Sequence, residues 1–381
     1  MHPEVLETVD VVVDAFLGSG VDRDVSAEWK KLMEQINLSS VPVISVDIPS
    51  GLNADTGAVF GVAIKADITV SFIGLKRGLY TDMGPDYSGR LFFDDLGVPP
   101  AAYQSISPDA RLLNWDSLKT RLTARLKNSH KNDFGHVLVV GGDHGMAGAV
   151  RLVGEAALRS GAGLVTIVTQ PEHVSAITAG CPELMVVGLA KGQIPQDLLT
   201  KTDCIVIGPG LGQGSWGMNL LAQVLQSPLA KLVDADALNL LTNEDRGRDD
   251  WVLTPHPGEA ARLLGFTTVD IQQNRFWTVG ELQQHYGGVI VLKGCGTLIK
   301  SQEGLSELCA YGNPGMATAG MGDVLSGIIA ALIAQGFSLS EAARIGVCVH
   351  ARAGDLAARQ GQRGLMASDL FAEIRSLVNP D

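Results

Sequence analysis

The chain has 381 residues, of which 46% are hydrophobic and 18% charged, so it can bury a sizeable core, and its length predicts two domains. Its formal net charge of −12 argues against general nucleic-acid binding, because that affinity comes largely from Lys and Arg that neutralise phosphates. The longest apolar helical run, 324–334, is too short to cross a bilayer, and the N-terminus lacks the features of a signal peptide, so we expect a cytoplasmic protein without membrane partners.

The cysteines are widely scattered and include no C-x-x-C pair, so the sequence indicates neither a disulfide framework nor a zinc site. We expect reduced thiols inside the core, where free cysteine behaves as a small hydrophobic residue. They are Cys181, Cys204, Cys295, Cys309 and Cys348.

The first part of the chain shows an α/β pattern. VDVVVDAF (9–16) and VPVISVDI (41–48) are apolar, β-rich runs with a helical segment between them, and ADITVSFIG (66–74) predicts a third strand. An irregular stretch, 97–115, follows and leads into a short helix-like run. That run carries Lys119, Arg121, Arg125 and Lys127. We place the domain boundary in this region.

The second α/β pattern is longer and more regular. Its strand-like runs are mostly separated by segments long enough for helices, which predicts a mostly parallel sheet covered on both faces. Ligands in such sheets bind beyond the carboxyl ends of the strands, where the polar and glycine-rich residues fall in this chain. The runs are HVLVVGG, LVTIVTQ, CIVIGPGLG, KLVDADALN, WVLTPHPGE and GVIVLKGCG.

Asp323 lies where the glycine-rich segment NPGMATAGMGD becomes an apolar helix. Glycines let the backbone approach a ligand closely, and the helix N-terminus attracts anions. One interpretation makes Asp323 an N-cap, a position that Asp favours. The other makes it the base that takes a proton from a hydroxyl attacking a terminal phosphoryl group. The loop reaches back to Asn313, further than capping needs, which favours the base.

VLKGCGT is a strand that leads into a Gly-x-Gly turn with one lysine. The amides of Gly294 and Gly296, the Thr297 hydroxyl and the Lys293 ammonium are suited to a nucleotide's phosphates, although a plain turn with a solvated lysine fits equally well. The segment is not a Walker A loop, which argues against an ordinary P-loop NTPase.

Three further loops belong to the second pattern. In TPHPGE the prolines stiffen the chain around His256, for which we expect a substrate contact. GPGLGQG (208–214) and GGDHGMAGA (141–149) are glycine-rich strand-to-helix loops that suit a large phosphorylated substrate. Asp234 and Asp236 of VDADALN also end a strand, and we interpret both as structural, because an Asp there is often a helix cap.

These motifs, in this order and spacing from Ser129 to about Leu370, resemble the nicotinamide-nucleotide-hydrate dehydratases. DAFLGSG, VDIPSGLNADTG and ADITVSFIGLKRGLY are similar to the epimerase domain that bacteria fuse to that dehydratase. The resemblance implies a ribokinase-like α/β fold with a doubly wound, mostly parallel sheet, preceded by an incomplete Rossmann-like α/β epimerase domain. It divides the chain into an epimerase part (1-112), a connecting helix (113-128) and a dehydratase domain (129-381).

For the dehydratase part, the resemblance implies a lyase that repairs hydrated NADH and NADPH with ADP as phosphoryl donor and Mg²⁺ as a cofactor. Asp323 would be catalytic and would also contact the substrate, together with Ala149, Gly212 and His256. The residues implied for the adenine nucleotide are Lys293, Gly294, Cys295, Gly296, Thr297 and Gly322.

For the epimerase part, the resemblance implies a K⁺ ion bound by Asp14 and Ser50. The residues implied for the dinucleotide are Gly18, Ser19, Gly20, Val21, Asp22, Arg23, Asp24 and Asp47. The family normally has an N-N-G-G-D-G phosphate loop ahead of DAFLGSG, and this sequence does not contain it. We therefore expect the N-terminal part of that domain to be missing and epimerization to be impaired.

Two alternatives stay open. The second domain also fits a ribokinase-like kinase of a vitamin or sugar, and the first domain then fits a non-catalytic binding module. The Gly-x-Gly-Asp chemistry is common to both enzyme classes, whereas KGCGT and TPHPGE in this arrangement favour the lyase. For either class we expect small-molecule substrates and a homo-oligomer.

Overall fold

A computed structural model of the chain describes residues 3–242, 245 and 247–379. The chain forms two compact units. Unit 1 contains Met1–Ala110 and Val269–Phe276, and unit 2 contains Arg111–Thr268 and Trp277–Asp381.

Unit 1 contains a four-stranded parallel sheet in which the strands follow the chain order. The strands are β1 (Val12–Asp14), β2 (Val43–Val46), β3 (Ile68–Phe72) and β4 (Arg90–Asp94). The helices of its main segment are α1 (Ala27–Leu38), α2 (Gly84–Ser88) and α3 (Pro100–Tyr103). Helix α1 connects β1 to β2, as the sequence predicts, and buries Met33 and Ile36 in a core with Val12 and Val43.

Unit 2 contains a ten-stranded mixed sheet in the order β5-β14-β13-β12-β11-β10-β9-β6-β7-β8. The strands are β5 (Ala110–Leu112), β6 (His136–Val140), β7 (Leu164–Thr169), β8 (Met185–Gly188), β9 (Cys204–Ile207), β10 (Ala230–Val233), β11 (Arg248–Leu253), β12 (Gly287–Leu292), β13 (Thr297–Lys300) and β14 (Ser306–Cys309). The pairs from β8 through β12 are parallel, and β12–β13 and β13–β14 are antiparallel. All of β6 and β9 is buried, as expected for a sheet that is covered on both faces. The predicted mostly parallel α/β sheet is confirmed.

The other helices are α4 (Trp115–Leu118), α5 (Ala147–Arg159), α6 (Val174–Gly180), α7 (Gln196–Leu199), α8 (Ser215–Gln226), α9 (Ala235–Leu240), α10 (Pro257–Leu264), α11 (Thr268–Gln273), α12 (Arg275–Tyr286), α13 (Met321–Ala334), α14 (Leu339–Ala357) and α15 (Leu370–Leu377). Nearly all of α13 is buried. Its backbone contacts that of α5 directly at Gly327, where an added Cβ would overlap the carbonyl oxygen of Val153.

Residues 113–128 contain the short helix α4 and a 3-10 turn, Lys119–Arg121. Within the part of the chain that the structure describes, no helix has the length and apolar character needed to span a membrane. Cys181, Cys204, Cys309 and Cys348 are reduced and buried, as expected. Cys295 is exposed, contrary to that expectation, because it lies in the turn between β12 and β13.

Candidate active site

The glycine-rich loops of unit 2 meet at one edge of the sheet. They follow the carboxyl ends of parallel strands, which lie together at that edge. The backbone N–H of Gly142 donates to the carbonyl of Pro209 at 3.0 Å, and that of Asp143 donates to Gly210 at 2.6 Å. The loops after β6 and β9 therefore form one continuous surface.

Two residues predicted to contact the substrate lie on this surface. The N–H of Gly212 donates to Oδ2 of Asp236 at 2.9 Å, and a Cβ at Gly212 would lie 2.8 Å from Oδ2 of Asp143. Ala149, in the first turn of α5, lies beside Gly210. A Cβ added at Gly210 would be 3.4 Å from the Cβ of Ala149. Gly212 has a φ of 67°, a conformation that glycine adopts without strain.

A buried carboxylate, Asp234, joins this surface to the next loops. The backbone carbonyl oxygen of Asp234 packs so closely on Gly208 that a Cβ at position 208 would overlap this oxygen. Its Oδ1 accepts a hydrogen bond from Nζ of Lys293 at 2.7 Å, and its Oδ2 accepts one from Oγ of Ser326 at 2.7 Å. The contact with Ser326 brings α13 to the end of β10, and the contact with Lys293 brings in the turn after β12.

Asp323 lies in the first turn of α13, where Gly320 occupies the N-cap position with a φ of 87°. Asp323 is therefore not the N-cap. Burial raises the pKa of Asp323 to about 7, the negative charge of Asp234 adds to this rise, and Lys293 opposes it. A carboxylate that titrates near neutral pH is suited to general base catalysis.

Glu259 is a second perturbed carboxyl group at this edge. It accepts a hydrogen bond from the N–H of His256 at 2.7 Å, and its Oε2 lies 3.9 Å from Nζ of Lys293. Burial raises the pKa of Glu259 to about 7, while Lys293 opposes this shift. One lysine ammonium thus lies close to several carboxyl groups.

His256 caps α10. Its Nδ1 accepts hydrogen bonds from the N–H groups of Gly258 and Glu259, at 2.9 and 3.3 Å. Burial lowers the pKa of His256, and Lys293 and Arg262 lower it further, so the ring is neutral at pH 7. The side chain is still half exposed, which leaves it accessible to a ligand.

The segment KGCGT is the turn of the β12–β13 hairpin. Gly294 and Gly296 have φ values of 134° and 64°, and Oγ1 of Thr297 donates to the carbonyl of Gly294 at 2.9 Å. Gly322 faces this turn, because a Cβ there would lie 3.3 Å from Nζ of Lys293. The structure thus brings the residues predicted for the nucleotide together with the start of α13.

His350 of α14 lies behind the first turn of α13. Its Nε2 is buried and has no hydrogen-bond partner among the described residues, and burial lowers the pKa of His350 to about 4. The ring is therefore neutral and adds no charge near Lys293.

Sequence reasoning missed Asp234 and Ser326. Asp234 was interpreted as a structural cap, but its side chain makes no capping hydrogen bond, and it lies at the centre of the loop cluster. The available signal was an acidic residue directly after a buried strand. Ser326 has a weaker signal, namely its position one helical turn after Asp323.

In unit 1, the side chains of Asp14 and Ser50, which the resemblance implies for an ion, are hydrogen-bonded to each other. The fully buried Asp14 carboxylate accepts hydrogen bonds from Oγ of Ser45 at 2.7 Å and from the N–H and Oγ of Ser50 at 2.9 and 2.6 Å. Asp47 forms an ion pair with Lys76. In the predicted dinucleotide loop, Gly18 and Gly20 border open space.

Family models match both parts of the chain. The NAD(P)H-hydrate dehydratase model matches residues 137–376, more than half of the chain, and the YjeF-related protein N-terminus model matches residues 1–78.

Curated relatives match nearly the whole chain. A bifunctional NAD(P)H-hydrate repair enzyme from Coxiella burnetii is 50% identical over 97% of this chain and 76% of its own length. The corresponding enzyme from Escherichia coli is 45% identical over 98% of this chain and 73% of its own length.

Solved structures show the same fold. A ribokinase-like superfamily protein from Enterococcus faecalis is 31% identical, with a TM-score of 0.64 over 72% of this chain and 96% of its own. The ADP/ATP-dependent NAD(P)H-hydrate dehydratase from Bacillus subtilis, co-crystallized with ATP and Mg²⁺, is 27% identical, with a TM-score of 0.64 over 71% of this chain and 98% of its own. The ribokinase-like fold implied by the sequence is therefore confirmed, and the chain belongs to the NAD(P)H-hydrate dehydratase family.

Proposed function

We propose that this chain removes water from hydrated NADH and NADPH, consuming ADP and releasing AMP and phosphate. One observation of geometry carries the proposal. Asp323, at the start of α13, lies beside Lys293 and Asp234 where the substrate loops and the nucleotide turn meet. Membership of the dehydratase family supports the same reaction.

The chemistry follows from a poor leaving group. Hydroxide leaves the hydrated nicotinamide ring slowly, so the hydroxyl group is first phosphorylated. The Asp323 carboxylate accepts the hydroxyl proton while the oxygen attacks the terminal phosphorus of ADP, and the bond to AMP breaks. The ring nitrogen's electron pair then expels phosphate, and loss of a proton from the adjacent ring carbon restores the reduced nicotinamide.

The ligand contacts follow the arrangement of the loops. We assign Ala149, Gly212 and His256, together with Asp323, to the hydrated dinucleotide. The turn residues from Lys293 to Thr297, together with Gly322, form the cradle for the adenine nucleotide. Backbone N–H groups of a glycine turn and a nearby helix N-terminus are suited to phosphate oxygens.

Mg²⁺ would neutralise phosphate charge during transfer. Among the side chains that the structure describes, no group of three or more His, Cys, Asp or Glu could hold a metal ion. Mg²⁺ commonly keeps its waters and binds through substrate phosphates. The residues present therefore fit an ion that is held chiefly by the nucleotide.

For unit 1, we propose that Asp14 and Ser50 bind K⁺. Within the described part of the chain, the hydrogen bonds to the buried Asp14 carboxylate come from the neutral residues Ser45 and Ser50, which leaves its charge available to a monovalent cation. Gly18 to Asp24 and Asp47 are assigned to the dinucleotide. The impaired epimerization expected from the sequence stays a prediction, which an assay of epimer interconversion with and without K⁺ tests.

The division into 1-112, 113-128 and 129-381, a cytoplasmic location and a homo-oligomeric state are further proposals. The main segment of unit 1 ends at Ala110, close to the proposed boundary at residue 112, which supports the division. Sedimentation of the purified protein tests the oligomeric state.

The test of the dehydratase is direct. The protein is mixed with hydrated NADH, Mg²⁺ and either ADP or ATP, and the absorbance of reduced nicotinamide is followed. Its return in the sample with ADP, together with release of AMP, supports the proposal. No return, together with stable phosphorylation of a vitamin or sugar alcohol, would favour the kinase, which the relatives support less.

A further inference from the structure

Asp234 stands at the start of a helix but does not cap it. It occupies the N-cap position of α9, yet its side chain makes no hydrogen bond to that helix. The next residue, Ala235, has a φ of 50°, a left-handed conformation that is costly for a residue with a Cβ. Local strain of this kind persists where the surrounding structure fixes it, often at functional sites.

The carboxylate of Asp234 instead connects two other elements. One oxygen accepts from Nζ of Lys293 and the other from Oγ of Ser326, each at 2.7 Å. Asp234 is 1% exposed and Ser326 is fully buried, so water does not compete for these hydrogen bonds. Ser326 lies one turn after Asp323 on α13, so this contact fixes the turn that carries Asp323.

We propose that Asp234 is a positioning residue: it fixes the Lys293 ammonium and the first turn of α13 relative to each other, so that Asp323 and the nucleotide's phosphates meet in a reactive geometry. This inference rests on the proposed dehydratase reaction. Asp234 acts through Lys293 and Asp323, and no contact of its own with substrate is required.

The charges around Asp323 give the inference a measurable signature. Asp234 disfavours the charged form of Asp323, and Lys293 favours it. The other titratable groups around Lys293 are Glu259, the neutral His256 on α10 and the neutral His350 on α14. Removal of the Asp234 charge should therefore lower the pKa of Asp323, whereas removal of a carboxylate remote from Asp323 would leave it unchanged.

The test uses Asp234→Asn, which keeps the side-chain size. We expect turnover to fall by about tenfold to a hundredfold, the scale of a misplaced reacting group. We also expect the acid limb of the kcat/KM profile to move to lower pH. Asp203→Asn is the matched control, because Asp203 accepts the backbone N–H of His136 at 2.7 Å, at the amino end of the strands. That variant should lose thermal stability without any shift of the limb.

The outcomes separate the two proposals. An active wild type with unchanged turnover in Asp234→Asn overturns the positioning role alone, whether or not the limb shifts. An inactive wild type overturns the dehydratase proposal. ADP titration then decides the positioning inference, and equal ADP affinity in wild type and Asp234→Asn overturns it. If Asp234→Asn does not fold, Ser326→Ala replaces it, and wild-type turnover in Ser326→Ala overturns the inference.

Discussion

Nζ of Lys293 lies 2.7 Å from Oδ1 of Asp234, within a buried network at the carboxyl edge of the sheet. Its distance to Oε2 of Glu259 is 3.9 Å. Before any phosphate arrives, the ammonium group is thus already neutralised by protein carboxylates. Nucleotide binding must therefore share this lysine with Asp234 rather than use a free cation, which ties nucleotide affinity to the state of the whole network.

Asp323→Asn should leave folding and ADP binding largely intact and lower turnover by about a hundredfold to ten-thousandfold, the range for loss of a general base. The amide keeps the shape of the side chain but cannot take the hydroxyl proton. Steady-state kinetics and ADP titration of the same preparation check both parts. Turnover close to that of wild type would reduce Asp323 to a structural residue.

The wild-type enzyme should gain activity as pH rises through about 7. Asp323 must be ionised to act as a base, and burial raises its pKa to about 7. The acid limb of kcat/KM reports this ionisation in the free enzyme. A profile that stays flat from pH 5 to 8 would contradict the assignment, and the limb should be absent from the residual activity of Asp323→Asn.

Asp323→Asn should stabilise the folded protein at alkaline pH. The ordinary pKa of this carboxyl group is 3.8, and the folded protein raises it to about 7. Between these values the folded state binds more protons, so wild-type stability falls as pH rises through the window. Asparagine carries no such charge. Denaturation at pH 5 and pH 8 checks this, and the advantage of the variant should grow with pH. An advantage that shrinks with rising pH would contradict the raised pKa.

Lys293→Ala should weaken ADP binding and also destabilise the protein. It leaves Asp234 buried without its cation, and such a loss costs about 3–5 kcal/mol. The double variant Lys293→Met/Asp234→Asn should recover stability but not ADP affinity. Lys300→Ala is the control, because Lys300 lies in the same hairpin and donates to the carbonyl of Gly304. Calorimetric titration with ADP measures the affinities, and wild-type affinity in Lys293→Ala would refute the cradle.

Gly212→Ala should raise the KM for the hydrated dinucleotide without changing ADP affinity. Its φ of 67° strains an alanine, and the added Cβ would approach Oδ2 of Asp143 to 2.8 Å. Gly214→Ala is the control in the same loop, because it has a negative φ and its Cβ meets no atom within 4 Å. Equal effects of the two substitutions on KM would show that the loop conformation at Gly212 does not matter.

Local patterns were sufficient to predict strands β6, β7, β9, β10, β11 and β12 of unit 2 and the position of Asp323, but not the short outer strands β5 and β8. The buried strands β6 and β9 are continuous apolar runs, and the Gly-x-Gly-Asp segment leads directly into an apolar helix. The antiparallel strands β13 and β14 were not predicted. Each is a short segment flanked by polar and glycine residues. β13 pairs with β12 and β14 pairs with β13, so their stability comes from pairing in the sheet rather than from a local pattern.

Asp234 shows why part of the site was not predictable. The local sequence around an Asp that follows a strand is the same whether its side chain caps the next helix or hydrogen-bonds to another element. The difference depends on the left-handed φ of Ala235 and on partners far along the chain, 59 and 92 residues away. Neither of these is encoded by short-range periodicity.

The close contact between α5 and α13 at Gly327 has a mechanical consequence. Backbones in direct contact leave no side-chain layer that could deform between them, so Ala149 on α5 and Asp323 on α13 are carried by a single rigid pair of helices. A bulkier residue at position 327 would force the two helices apart and increase the distance between Asp323 and the substrate hydroxyl. Position 327 itself contacts neither the dinucleotide nor the adenine nucleotide in the proposed arrangement.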